Sequence, residues 1–150
     1  MAKALLVIDL QEGIIEKYPS SLLACVNERI QRAAADKELI IYVKNTKGLR
    51  SGRTTNALAE NLYICSEFII CKERASAFSN PVLQEILRQN QITEIEIVGI
   101  DGNSCVASTA IDSVQNGYKT ILQNACVGVQ NVKRFENTKA SLLEKGIIIK

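Results

Sequence analysis

Residues 95–122, IEIVGIDGNSCVASTAIDSVQNGYKTIL, decide the fold. Ile95 to Val98 is a short apolar run that reads as a strand, and a Gly-containing turn follows it. From about Ser104 to Asn116 the residues Val106, Ala110 and Val114 recur at helical spacing, Gly117 closes the helix, and Thr120 to Leu122 returns to strand. Two strands joined by a helix of this length form a parallel pair, because a parallel connection needs a crossover of about a dozen residues or more.

The same alternation extends in both directions. Toward the N-terminus, Leu5 to Ile8 reads as a strand. Ser20 or Ser21 then caps a helix with the stripe Leu22, Val26, Ile30 and Ala34, and Leu39 to Val43 is the next strand. Lys44 to Asn56 is polar, contains Gly48 and Gly52, and reads as loop; Phe68 to Cys71 returns to strand. Asn80-Pro81 starts a helix with Val82, Leu83, Ile86 and Leu87 on one face. Toward the C-terminus a helix near Asn137 to Lys145, closed by Gly146, leads to a last strand, Ile147 to Ile149. Six near-continuous apolar strands call for a parallel sheet covered on both faces. Right-handed crossovers make it a doubly wound, three-layer α/β/α sandwich.

The 150 residues, 47% apolar and 23% charged, suit a single domain over 1–150. There is no His, which excludes Ser-His-Asp and Cys-His triads and His-ligated zinc, so no metal is expected. A net charge of +2 is too small for a nucleic-acid or membrane surface, leaving a small molecule as the expected partner. Gly99-x-x-Gly102 is not a dinucleotide fingerprint and a G-x-x-x-x-G-K loop is absent, so no cofactor is expected. The apolar run before Asp9 is too short for a signal-peptide core or a membrane span, which predicts a cytoplasmic protein. Cys25, Cys65, Cys71, Cys105 and Cys126, an odd set without C-x-x-C, read as reduced thiols, most of them small buried apolar groups.

In a doubly wound sheet, ligands bind beyond the carboxyl ends of the strands. Asp9, Lys72 and Cys105 fall there, at or just past the first, third and fourth predicted strands. Each alone has a bland reading as a turn, surface or small helix residue; together they bring three chemistries to one edge. An unassisted Cys is only ~3% thiolate at neutral pH. The helix dipole and the Lys72 ammonium would both favour the Cys105 thiolate. Asp9 could accept the thiol proton and return it to a leaving group. The turn from Gly99 to Ser104 could aim backbone N–H groups at an oxyanion, each typically worth ~2.7–4 kcal/mol in the transition state.

Three blocks, ALLVIDLQ at 4–11, IICKERASAF at 69–78 and IVGIDGNSCVASTAIDSVQNGYKT at 97–120, resemble in order and spacing the signature blocks of the isochorismatase-like cysteine hydrolases. The resemblance implies Cys105 as nucleophile, Asp9 as general base and acid, and Lys72 as the group that orients Asp9 and stabilises charge. It further implies a cis peptide at Ile100-Asp101, an oxyanion hole from the N–H groups of Asp101 and Cys105, and strand order 3-2-1-4-5-6. Homodimers or larger homo-oligomers are common in the family. Gln11, Ile14, Phe78 and Ile100, with Ser76, are pocket candidates. Where nicotinamidases of this family bind zinc or iron through an Asp and several His, this chain has no His; where many members carry a pocket Phe it has Ile14. The family's frequent Asp-Ala after the fifth strand is Asn124-Ala125 here. Cys105 favours an amide or ureide carbon–nitrogen bond over a vinyl ether.

Lys44, Lys47, Arg50 and Arg53 read as a solvated loop or as a lid for an anionic substrate, hinged at Gly48 and Gly52. Two rival functions fit less well. A receiver-like signalling domain would need an acidic pair after the first strand to hold magnesium, and this chain lacks it. A non-catalytic small-molecule-binding or scaffold protein of the same fold is the other alternative.

Overall fold

The first strand, β1 (Ala2–Ile8), is buried from Ala4 onward, and its alternate side chains feed two different cores. Ala4, Leu6 and Ile8 point to one face of the sheet; Leu5 and Val7 point to the other. The computed structural model describes residues 2–47 and 56–150. The further strands are β2 (Leu39–Asn45), β3 (Ile69–Lys72), β4 (Ile92–Ile100), β5 (Lys119–Gly128) and β6 (Ile148–Ile149). They form one parallel sheet in the order β3-β2-β1-β4-β5-β6.

Helix α1 (Ser21–Ala35) lays Leu22, Val26, Ile30 and Ala33 on one face of the sheet, beside Ala59 and Leu62. Helices α2 (Pro81–Gln89), α3 (Cys105–Gln115) and α4 (Val132–Glu144) cover the other face with Leu83, Leu87, Val106, Ala110, Phe135 and Leu142. This is the three-layer sandwich that the apolar strands and amphipathic helices predict. The chain order reverses between β1 and β4, so the crevice above those two strands is where a doubly wound sheet accepts a ligand.

Several local expectations are corrected. Ser20 precedes α1 without a side-chain capping bond, and the buried stripe passes through Arg29 and Ala33 rather than Ala34. Arg29 is buried because Glu96, on β4 beneath it, accepts its Nε hydrogen bond at 2.6 Å. Lys44 belongs to the end of β2, not to a loop, and Val82 is exposed. Helix α4 starts at Val132, five residues before the expected position, with Asn131 accepting the Arg134 N–H as its cap. Strand β5 does not stop at Leu122. Its register with β4 slips between Ile97 and Gly99, so that Ile97 faces Leu122 but Gly99 faces Val127, and Asn124-Ala125 lie in the intervening bulge. Of the five thiols only Cys126 is buried; Cys25 and Cys105 are half-buried, and Cys65 and Cys71 are exposed.

Candidate active site

Asp9 follows β1 with φ 57°, a left-handed conformation that Asp tolerates better than most residues. Its N–H donates to Val43 O at 2.9 Å, and its carbonyl accepts from Gln11 N at 2.9 Å, which turns the chain sharply off the sheet. Lys72 is the last residue of β3, paired in register with Asn45. Thr46 N–H donates to the Lys72 carbonyl at 2.9 Å, holding the strand end in place. Cys105 is the first residue of α3.

Lys72 Nζ joins the three. It donates to Asp9 Oδ2 at 3.1 Å, to Cys105 Sγ at 3.4 Å and to Arg74 O at 3.1 Å. The Lys72 and Asp9 side chains are almost wholly buried, at 0% and 5% exposure, so the charges act with little screening. Asp9 Oδ1 is buried and accepts no direct hydrogen bond that meets the distance and angle limits among the described residues. Burial raises the Asp9 carboxyl above the usual range, against the pull of Lys72 and of polar contacts from Cys105 and Asn45. Burial also raises the Cys105 thiol, and the Asp9 charge raises it further, with Lys72 opposing. Lys72 thus favours the thiolate, as the sequence reading expects, while desolvation and the neighbouring carboxylate act against it.

The turn between β4 and α3 is held on every side. The Ile100–Asp101 peptide is cis. Gly99, at φ 121°, lies so close to Ile8 that an added Cβ would collide with the Ile8 backbone. Gly102 N donates to Gly128 O at 2.9 Å, and a Cβ there would meet Val129, Phe135 and Val127. Asn103 Nδ2 donates to Asn131 O at 3.0 Å, and its Oδ1 accepts from Thr138 Oγ1 at 2.6 Å.

Other candidate residues take different places. Gln11 is fully buried and clamps two segments: Nε2 donates to Asn45 O at 3.2 Å and Asn56 O at 3.1 Å, while Oε1 accepts from Asn45 N at 2.7 Å. Ile100, 1% exposed, is core rather than pocket wall. Ile14 is half-buried against the α1-side core. Phe78 packs beside Tyr118 and lines a cleft with Arg74, Ser108 and Ile111 that includes neither Asp9 nor Cys105. Ser76 accepts the Phe78 N–H at 3.1 Å and so caps a 3-10 turn. A cleft of about 410 Å³ lined by Thr46, Cys71, Lys72, Glu73, Arg74, Ser79, Asn80 and Pro81 adjoins the site at Lys72. Arg50, Arg53, Gly48 and Gly52 lie outside the described residues; Lys47 is exposed.

A doubly wound sheet with an Asp–Lys–Cys cluster at the carboxyl ends of its strands defines a class of chain, and residues 3–144 match the isochorismatase domain family. The chain belongs to the isochorismatase family. It is 31% identical over 62 residues to maleamate amidohydrolase of Pseudomonas putida, a match covering 41% of this chain and 29% of that protein. With streptothricin hydrolase of Streptomyces noursei it shares 24% identity over 130 residues, covering 80% and 52%. The chain thus spans about half or less of these two relatives. Pyrazinamidase of Pyrococcus horikoshii in complex with zinc has the same fold, with TM-score 0.86 at 22% identity, covering 100% of this chain and 99% of that one.

The chain has no His, and no group of three or more His, Cys, Asp or Glu among the described residues could hold a metal ion. Among the described residues no helix is long and apolar enough to cross a membrane.

Proposed function

We propose that the chain hydrolyses a carbon–nitrogen bond, amide or ureide, in a small metabolite through an acyl-Cys105 intermediate, without a metal. The observation that carries this reading is the Lys72 ammonium within hydrogen-bond reach of both Asp9 Oδ2 and Cys105 Sγ. Family membership and the amide-hydrolysing relatives support it. Asp9, in polar contact with Cys105, takes the thiol proton as Sγ attacks the carbonyl carbon. The N–H groups of Asp101 and Cys105 hold the oxyanion. As the carbon–nitrogen bond breaks, Asp9 gives its proton to the departing amine. Water then attacks the thioester, Asp9 takes one of its protons, and the acid leaves as Cys105 recovers its own. The Lys72 ammonium offsets whichever negative charge is present.

The test is ammonia release from a panel of primary amides and N-carbamoyl acids. One or more should be turned over, and Cys105→Ala should abolish the release, a loss of about 10⁴-fold or more. Full turnover by Cys105→Ala, or none by the parent chain across the panel, overturns the reading.

A further inference from the structure

The Asp101 side chain lies outside the proposed chemistry, yet it is one of the most constrained groups near it. Asn103 N donates to Oδ1 at 2.8 Å. Gln130 N at 3.0 Å and the Tyr18 hydroxyl at 2.9 Å both donate to Oδ2. Two of these donors come from the turn itself and from the segment after β5. Tyr18 alone comes from the far side of the switch point, the connection between β1 and α1 that begins at Asp9. Its ring lies against Gly128, where an added Cβ would stand 2.9 Å from Tyr18 Cδ1. Burial and the Asp101 carboxylate raise the Tyr18 hydroxyl, with Cys105 and Asp9 acting in the same direction, so it remains a donor.

We propose that Tyr18 is a positioning residue whose hydroxyl, acting through the Asp101 carboxylate, sets the turn that presents the Asp101 N–H to the reacting carbonyl. This rests on the cysteine-hydrolase reading. A bond from the Asp9 side to the Cys105 turn fixes the distance between base and oxyanion donors, and small misplacements of such groups are costly in rate.

The test compares two reactions of Cys105. With p-nitrophenyl acetate, the Sγ–C bond forms, the C–O bond breaks, p-nitrophenolate leaves, the thiol proton passes to Asp9, and an oxyanion must be held on the way. With iodoacetamide, Sγ displaces iodide at a saturated carbon and no oxyanion forms. Tyr18→Phe should slow the nitrophenolate burst about tenfold and leave the alkylation rate within about twofold at every pH. Asp101→Asn should lose at least as much, and the double variant no more than Asp101→Asn alone. Equal burst rates in Tyr18→Phe and the parent overturn the inference. A parallel fall of both reactions, or losses that multiply in the double variant, also overturn it. If the parent shows no burst above Cys105→Ala, the hydrolase reading itself fails, a result distinct from these. Should Asp101→Asn not fold, the ratio of the two rates in Tyr18→Phe decides alone.

Discussion

Asp9 and Cys105 compete for one proton beside a lysine that favours the anion of either. Because the Asp9 charge and burial both raise the thiol, removing that charge while Lys72 remains must lower it. Asp9→Asn is therefore expected to move the rise of Cys105 alkylation to lower pH while hydrolysis is lost, because the thiolate persists but the proton carrier is gone. Site-resolved alkylation from about pH 6 to 10 checks the shift; an unmoved or higher midpoint refutes the coupling. That these three residues meet is legible in the sequence, because Asp, Lys and Cys at strand ends are chemically distinctive and sit in motif blocks. Their protonation was not, since it depends on how deeply Asp9 and Lys72 are buried, and a sequence does not carry depth. Tyr18 was equally hidden. Nothing in a lone Tyr before a Pro announces a bond to a residue 83 positions away.

At the level of elements, periodicity marked every strand and most helix faces, and it failed where polar residues are buried or strands break step. Gln123 and Asn124 end an apolar run and read as a strand terminus, whereas β5 bulges there and resumes as far as Gly128. Arg29 and Glu96 interrupt the apolar pattern of their elements, and they join α1 to β4 inside the core, with Glu38, Lys3 and Gln123 in the same network. Arg29 and Lys3 draw the Glu96 carboxyl from 4.5 down to about 2 despite burial, an interaction worth about 3 kcal/mol. A carboxyl lowered in the folded state stabilises above its unfolded value, so this contribution is complete above about pH 4.5 and drains away as pH falls toward about 2. Glu96→Gln is expected to cost roughly 3 kcal/mol at neutral pH, because Arg29 loses a buried partner, and to flatten the acid limb of the stability curve. Urea midpoints measured from pH 7 to 2 check it; parallel curves for parent and variant rule it out.

For the whole molecule the two faces are unequally covered among the described residues: α1 with the Ala59–Leu62 segment lies on one, and three helices lie on the other. The imbalance shows at the β3 edge, where Tyr63, Ile64, Phe68 and Ile69 are all exposed within seven residues. Isolated exposed apolar groups are ordinary, but several close in sequence, leading into a strand that is at the sheet edge among the described residues, offer a surface that excludes water better when paired. Closed homo-oligomers bury one such patch against its own copy. We propose that a second copy of the chain is the partner, joined over this edge. Sedimentation equilibrium at tens of micromolar should then return at least twice the 16.5 kDa chain mass. Ile69→Lys, which puts a charge on an exposed edge position without disturbing the core, should return the monomer. A monomeric parent excludes the association, and an oligomer that survives Ile69→Lys moves the interface elsewhere. The same experiment bears on the site, because β3 ends in Lys72: an interface that steadies this strand also steadies the lysine, so the Cys105 alkylation profile of Ile69→Lys should shift toward higher pH if Lys72 loosens.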